Sequence, residues 1–298
     1  MSSPRPTPGF QLQRRPAFML LLFTLAAVTP IYGGKKKDEE KEAAEATARA
    51  AAFDRPESQF AQAIEAAEKN DWPRAHAYVD SAIAKAPLND QYVYAKAHFY
   101  FQAGNYAAAL ETAKKAEAMK GEMGAAQHLQ AMALQSMGKP EEAEPIFSRL
   151  CQDPNFVRNQ DTCGNLGELY VKLSVKTADA AAKKNYLQKA RDAFIRLVEL
   201  NSKDPRGHYY LGEIALQQGQ WNEAVSRCNT AFNLLEQLGY GNNALPNFGP
   251  LYALCAAKAE LKVNNRNHAQ ELITEACRIS PSAEDCHRGE MLLRESGL

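Results

Sequence analysis

The chain has 298 residues, with 35 basic and 35 acidic side chains and a formal net charge of +0. That balance provides no positive field to gather phosphates and excludes a dedicated nucleic-acid binder. The spacings Cys-x-x-Cys, His-x-x-x-His, His-Glu-x-x-His and Gly-x-Gly-x-x-Gly are all absent, so the reading is of a non-enzyme that needs no cofactor or metal.

Residues 1–34 open with Arg5, Arg14 and Arg15, then an apolar run from Ala17 to Val28, then Pro30 and Gly33–Gly34. A basic start, a short apolar middle and small residues at its end describe a secretory signal peptide. The run is shorter than the ~20 residues that span a bilayer. Residues 17–34 carry no charge, however, so a retained inner-membrane anchor, which could leave the rest of the chain facing the cytoplasm as a membrane-bound adaptor, is the alternative. Residues 35–55 are almost all Lys, Glu, Asp and Ala, a mixture that cannot bury a core and reads as a charged tether. These segments place the protein in the periplasm or cell envelope.

From residue 56 to 282 a ruler of alanines sets the organisation. Ala75, Ala109, Ala143, Ala190, Ala224 and Ala269 recur at intervals of 34, 34, 47, 34 and 45 residues. Around them the same settings return: Trp72, Val79 and Ala82 in the first unit; Gly104, Tyr106, Ala113 and Ala116 in the second; Gly138, Phe147 and Leu150 in the third. The fourth carries Asn165–Leu166–Gly167 and Tyr170, the fifth Gly212, Gly219, Trp221 and Ala231, and the sixth Ile273 and Ala276. Small residues at this period fit the close crossing of paired helices. The two long intervals are insertions, near 171–186 and 239–250. The first is Ala-, Lys- and Gln-rich from Ala178 to Ala193 and reads as an early start to a second helix. The second is rich in Gly, Pro and Asn and reads as a surface loop carrying Tyr240 and Phe248. Residues 283–298 read as a capping helix, with Met291, Leu292 and Leu293 turned to the last repeat.

The phased pattern resembles the tetratricopeptide repeat family. That resemblance implies an all-α, right-handed superhelical solenoid of about six helix hairpins whose function is protein–protein interaction. In such repeats the first helices line a concave groove. Carried onto this chain, the groove residues are Tyr94, His98, Phe101, His128, Met132, Gln135, Glu168, Lys172, Tyr209, Glu213 and Lys258, with Arg206 and Leu254 in equivalent positions. The Lys and Asn of the subtype that clamps terminal carboxylates are missing there. The repeat register also sets Cys151 opposite Cys163, Cys228 opposite Cys255 and Cys277 opposite Cys286. In an exported chain these are predicted disulfides; six buried thiols are the alternative. More narrowly, Asp153–Pro154–Asn155–Phe156 followed by Asn165–Leu166–Gly167 is similar to the middle repeats of pilotin-type assembly proteins of type IV pili. That likeness implies a role in secretin assembly. Those proteins are lipid-anchored, whereas no cysteine here precedes Cys151. The expected partner is a protein of an envelope, secretion or motility complex, bound as a peptide or helix.

Overall fold

The computed structural model describes residues 41–47, 54–119, 121, 123–238, 244–281 and 284–297. The chain divides into two units, Met1–Ala51 and Ala52–Leu298. In the first, residues 41–47 form α1, an exposed helical segment with Lys41 and Glu45 paired one turn apart at 3.9 Å. The signal or anchor expected over 1–34, and most of the tether, lie outside the described residues. No helix among the described residues is long and apolar enough to cross a membrane.

The second unit is all α among its described residues. Its helices follow as α2 (Pro56–Glu68), α3 (Trp72–Lys85), α4 (Asp90–Gln102), α5 (Tyr106–Ala118), α6 (Met123–Ser136), α7 (Pro140–Gln152), α8 (Asn159–Lys176), α9 (Ala180–Leu200), α10 (Pro205–Gln218), α11 (Trp221–Leu238), α12 (Ala244–Lys262), α13 (Arg266–Ile279) and α14 (Glu284–Glu295). Each even-numbered helix from α2 to α12 packs on its successor, and each successor packs on the next pair. All six ruler alanines are 0% exposed. A single pair leaves apolar faces uncovered, so stacking extends the core along the chain. Tyr210 packs against both the cluster around Phe194 and the cluster around Cys228.

The turns inside the pairs repeat one device. Gly104, Gly138 and Gly219 have φ of 78°, 77° and 72°, and the equivalent Asn70 and Asn264 have 57° and 63°. Left-handed backbone after a helix favours Gly, then Asn. It lets the next residue's N–H reach back over the helix end: Asp71, Asn105, Lys139, Gln220 and Asn265 each donate at 2.9 Å to the carbonyls of Ala66, Tyr100, Leu134, Ala215 and Glu260. Asp71 and Asn105 then cap the following helices by accepting from the amides of Arg74 and Ala108.

The first insertion starts α9 early, at Ala180 after a short loop, as read from the sequence, and the second departs from that reading. The first also lengthens α8, which runs on to Lys176, so that only Thr177–Asp179 separate the two helices. In the second, the expected surface loop is helical from Ala244; Tyr240 lies outside the described residues. Pro250 sits inside α12, fully buried, and Phe248 packs against the core beside Tyr252. Composition alone marks this stretch as turns, and the apolar area its burial gains overrides that local preference. At the end, Leu292 and Leu293 pack on the core as expected, but Met291 is 46% exposed.

The helices are also joined covalently. Disulfides link Cys151 of α7 to Cys163 of α8, Cys228 of α11 to Cys255 of α12, and Cys277 of α13 to Cys286 of α14, with Cα separations of 4.8, 5.6 and 4.9 Å. A buried carboxylate fastens the pair formed by α12 and α13. Glu260 accepts from Asn229 Nδ2 at 2.6 Å and Asn265 Nδ2 at 2.9 Å, and lies 2.9 Å from His268 Nδ1. Burial alone raises its pKa, and these bonds to the charged form reverse the shift to a net lowering.

Candidate functional site

The first helices of neighbouring pairs approach one another at α4–α6, α6–α8 and α10–α12. This row of helices carries the residues named for the groove.

In its amino-terminal stretch, the rings of Tyr94 and His98 on α4 lie 6.4 Å apart. Arg158, just ahead of α8, donates from Nη1 to the Tyr94 hydroxyl at 3.4 Å and lies 3.6 Å from Asp161. Burial, helped by the charge of Arg158, pushes His98 down to about 4. Phe101 rests against Tyr106 at 5.3 Å and closes a small core around Ala97, Ala113 and Leu129. Met132 is half-buried against the central core, and Gln135 is half-buried at the end of α6.

His128 departs from the expected groove lining. It is 4% exposed and belongs to the interior. Asn165 donates to its Nε2 at 3.3 Å, which leaves the proton on Nδ1 facing Thr162 Oγ1 at 2.6 Å; that hydroxyl donates to the Arg158 carbonyl at 3.2 Å. The edge of Phe147 and the ring of Phe156 close over it. Burial first, and Arg158 second, hold this imidazole down to about 3. Its task is to join α6 to α8.

The carboxyl-terminal stretch gathers rings and charges from α8, α10 and α12. Arg206 of α10 forms a fork on Asp204, with Nη2 at 2.7 Å and Nε at 3.1 Å, and reaches Asp161 at 3.7 Å. Its guanidinium lies over Gly164 of α8, 3.5 Å from where a Cβ would stand. Glu168 follows one turn along α8. Burial raises its carboxyl pKa, against the opposing charges of Arg206 and Lys172. Tyr209 is 9% exposed and Leu254 is 1% exposed, so neither is the open groove residue expected. Tyr209 stacks on Tyr252 at 4.5 Å with an 8° interplanar angle, and Tyr210 stacks on Phe194 at 4.6 Å. Burial, then the carboxylate of Glu213, pushes the Tyr209 hydroxyl up. Lys172 is exposed, and Glu213 and Lys258 are half-buried.

Sequence reasoning missed Arg158, Asp161, Tyr210 and Tyr252. Arg158 and Asp161 flank the start of α8, where the long interval blurs the register. Tyr210 and Tyr252 stand at positions the pattern assigns to the core, and their neighbours on the groove row are the only sequence signal. Elsewhere, donor atoms of Cys277, Cys286 and Glu290 lie within 4.8 Å of one another. Only the reduced pair could act as thiolate metal ligands.

The architecture is that of a tetratricopeptide-repeat solenoid. Two stretches, residues 60–122 and 175–231, match the tetratricopeptide repeat family. The fold is similar to that of PilW, a widely conserved type IV pilus biogenesis factor, at 17% identity and a TM-score of 0.60, covering 78% of this chain and 97% of that one. It is also similar to PilF of Pseudomonas aeruginosa, at 14% identity and a TM-score of 0.62, covering 79% and 96%. A third likeness is to Acl4, an assembly chaperone of RpL4, at 12% identity and a TM-score of 0.55, covering 80% and 95%. A search of the curated proteins returns no match.

Proposed function

We propose that this protein is a non-catalytic scaffold of the bacterial cell envelope that holds a peptide or helix of a partner protein along the row α4–α6–α8–α10–α12. The observation that carries the reading is the mixture on that row: half-buried rings at Tyr94 and Phe101 beside charged groups at Arg158, Glu168 and Glu213. Apolar anchors interleaved with polar groups suit recognition of an extended or helical segment. The apolar run before the tether supports export, and the three cysteine pairs fit an oxidising compartment. The likeness in fold to PilW and PilF favours, as a second reading, an assembly factor for a type IV pilus or secretin.

The test is photo-crosslinking in living cells from a reactive amino acid placed at Gln135 or Lys258, followed by affinity recovery and mass spectrometry. Recovery of exported or envelope proteins, diminished by Tyr94→Ala, is the expected result. Recovery of cytosolic proteins alone overturns the envelope assignment, and capture of pilus or secretin components selects the second reading.

A further inference from the structure

We propose that Cys277, Cys286 and Glu290 form a zinc site at the joint of α13 and α14 once the Cys277–Cys286 bridge is reduced. The inference is independent of what the groove holds.

The donors come from two helices. Cys277 stands in the last turn of α13 and Cys286 in the first turn of α14. Glu290 follows Cys286 by four residues and so shares its face of α14. One ligand atom from each of the three lies within 4.8 Å of the others. A tetrahedral zinc ion, bonded to sulfur at about 2.3 Å and to a carboxylate oxygen at about 2.1 Å, holds its donors roughly 3.5–3.8 Å apart. Glu290 is exposed and meets His287 Nδ1 at 4.0 Å, a contact weak enough to yield. The adjacent arginines, Arg278 and Arg288, are paired with Glu275 and Asp285 and do not tie up Glu290.

The other two bridges lack these features. Cys151, Cys163, Cys228 and Cys255 are at most 3% exposed, and among the described residues no carboxylate or imidazole completes such a group with them. Cys277 is half-buried, which gives a reductant and an ion access to its sulfur. A dithiol reductant delivers two electrons and two protons, turns the bridge into two thiols and is itself oxidised to a disulfide. Zinc then displaces both thiol protons. Two Zn–S bonds and one Zn–O bond form, and water takes the fourth position. The positive end of α14 favours the thiolate of Cys286. The ion thus keeps α14 clasped to α13 when the covalent tie is open, and Ile273 stays covered.

The experiment is a cobalt(II) titration of the full chain after reduction with a dithiol, which is removed under argon. One equivalent should give the thiolate-to-cobalt charge-transfer absorption and the strong visible bands of a tetrahedral site, and zinc should bleach both. The oxidised parent and the reduced double variant Cys277→Ser, Cys286→Ser should show neither. Glu290→Gln should weaken cobalt binding by about tenfold or more. A reduced parent without these bands overturns the proposal. So do bands that persist in the double variant, which would come from the other four cysteines, or unaltered binding in Glu290→Gln. Hydrogen exchange supplies a second readout that does not need the variants. Zinc should slow exchange in α13 and α14 of the reduced parent, and no effect of zinc there also overturns the site.

Discussion

His128 ties the stability of this solenoid to pH. Its imidazole is neutral in the fold, with the pKa held down to about 3 from 6.5, whereas the unfolded chain protonates it at the ordinary value. The unfolded state therefore binds the extra proton, and stability falls as pH drops. The contribution is complete above 6.5 and declines through the window down to about 3. His98, held at about 4, acts in the same direction. Thermal midpoints followed by circular dichroism should decline from neutral to mildly acidic pH, before most carboxylates titrate. In His128→Gln the decline should be shallower, although the midpoint at neutral pH is lower by the equivalent of about 1–3 kcal/mol for the disrupted bonds to Thr162 and Asn165. An unchanged slope would mean that His128 is not the titrating group. Gly167 poses a steric question instead: an added Cβ would stand 2.5 Å from the Phe194 ring, which is 0% exposed. Gly167→Ala should therefore cost about 1–3 kcal/mol in denaturant unfolding. The groove register legible in the sequence tells which side of a helix a residue occupies. It does not tell how deep that residue lies, because depth is set by the neighbour across the gap. Phe156 closes over His128 and Tyr252 over Tyr209, and neither covering residue belongs to the same repeat as the residue it covers.

Local chemistry made some elements legible and others not. Gly104, Gly138 and Gly219 stand where each pair turns, and Asn70 and Asn264 replace them where a left-handed residue is still needed. These are positions where the residue type and the backbone demand coincide. At Ala244–Pro250 they conflict, since Gly and Pro locally favour a turn while packing of α12 against α11 and α13 favours continued helix. No reading of composition can weigh a gain that comes from a distant partner. The cysteines matter at this same scale because each pair ties one helix to the next. Cys151 and Cys163 enclose a sequence separation of only 12. The double variant Cys151→Ser, Cys163→Ser should lose about 2–4 kcal/mol of stability. The parent under reducing conditions should lose at least as much. Peptide mapping without reductant that finds both thiols free would remove the basis for either effect.

At the scale of the whole solenoid, stability is close to a sum of pair stabilities and interfaces between neighbours. A change at one end should then be felt mainly by the elements it touches. α14 packs on α12 and α13, and its fit against α13 is tight. A Cβ added at Gly289 would lie 2.5 Å from Ile273 Cδ1, and Leu292 and Leu293 lie against the same core. Removing residues 281–298, with Cys277→Ser to avoid a new thiol, strips this cover from Ile273 and Leu272, which are 2% and 6% exposed in the full chain. Hydrogen exchange should accelerate in α12 and α13 and remain unchanged in α4 and α5, and size-exclusion chromatography should show self-association through the exposed apolar end. Crosslinking at Gln135 of α6, which α14 does not touch, should be retained in the truncated chain. Uniform acceleration of exchange along all helices would instead mean that the solenoid unfolds as one cooperative unit, and α14 would then act as a global lock rather than a local cap.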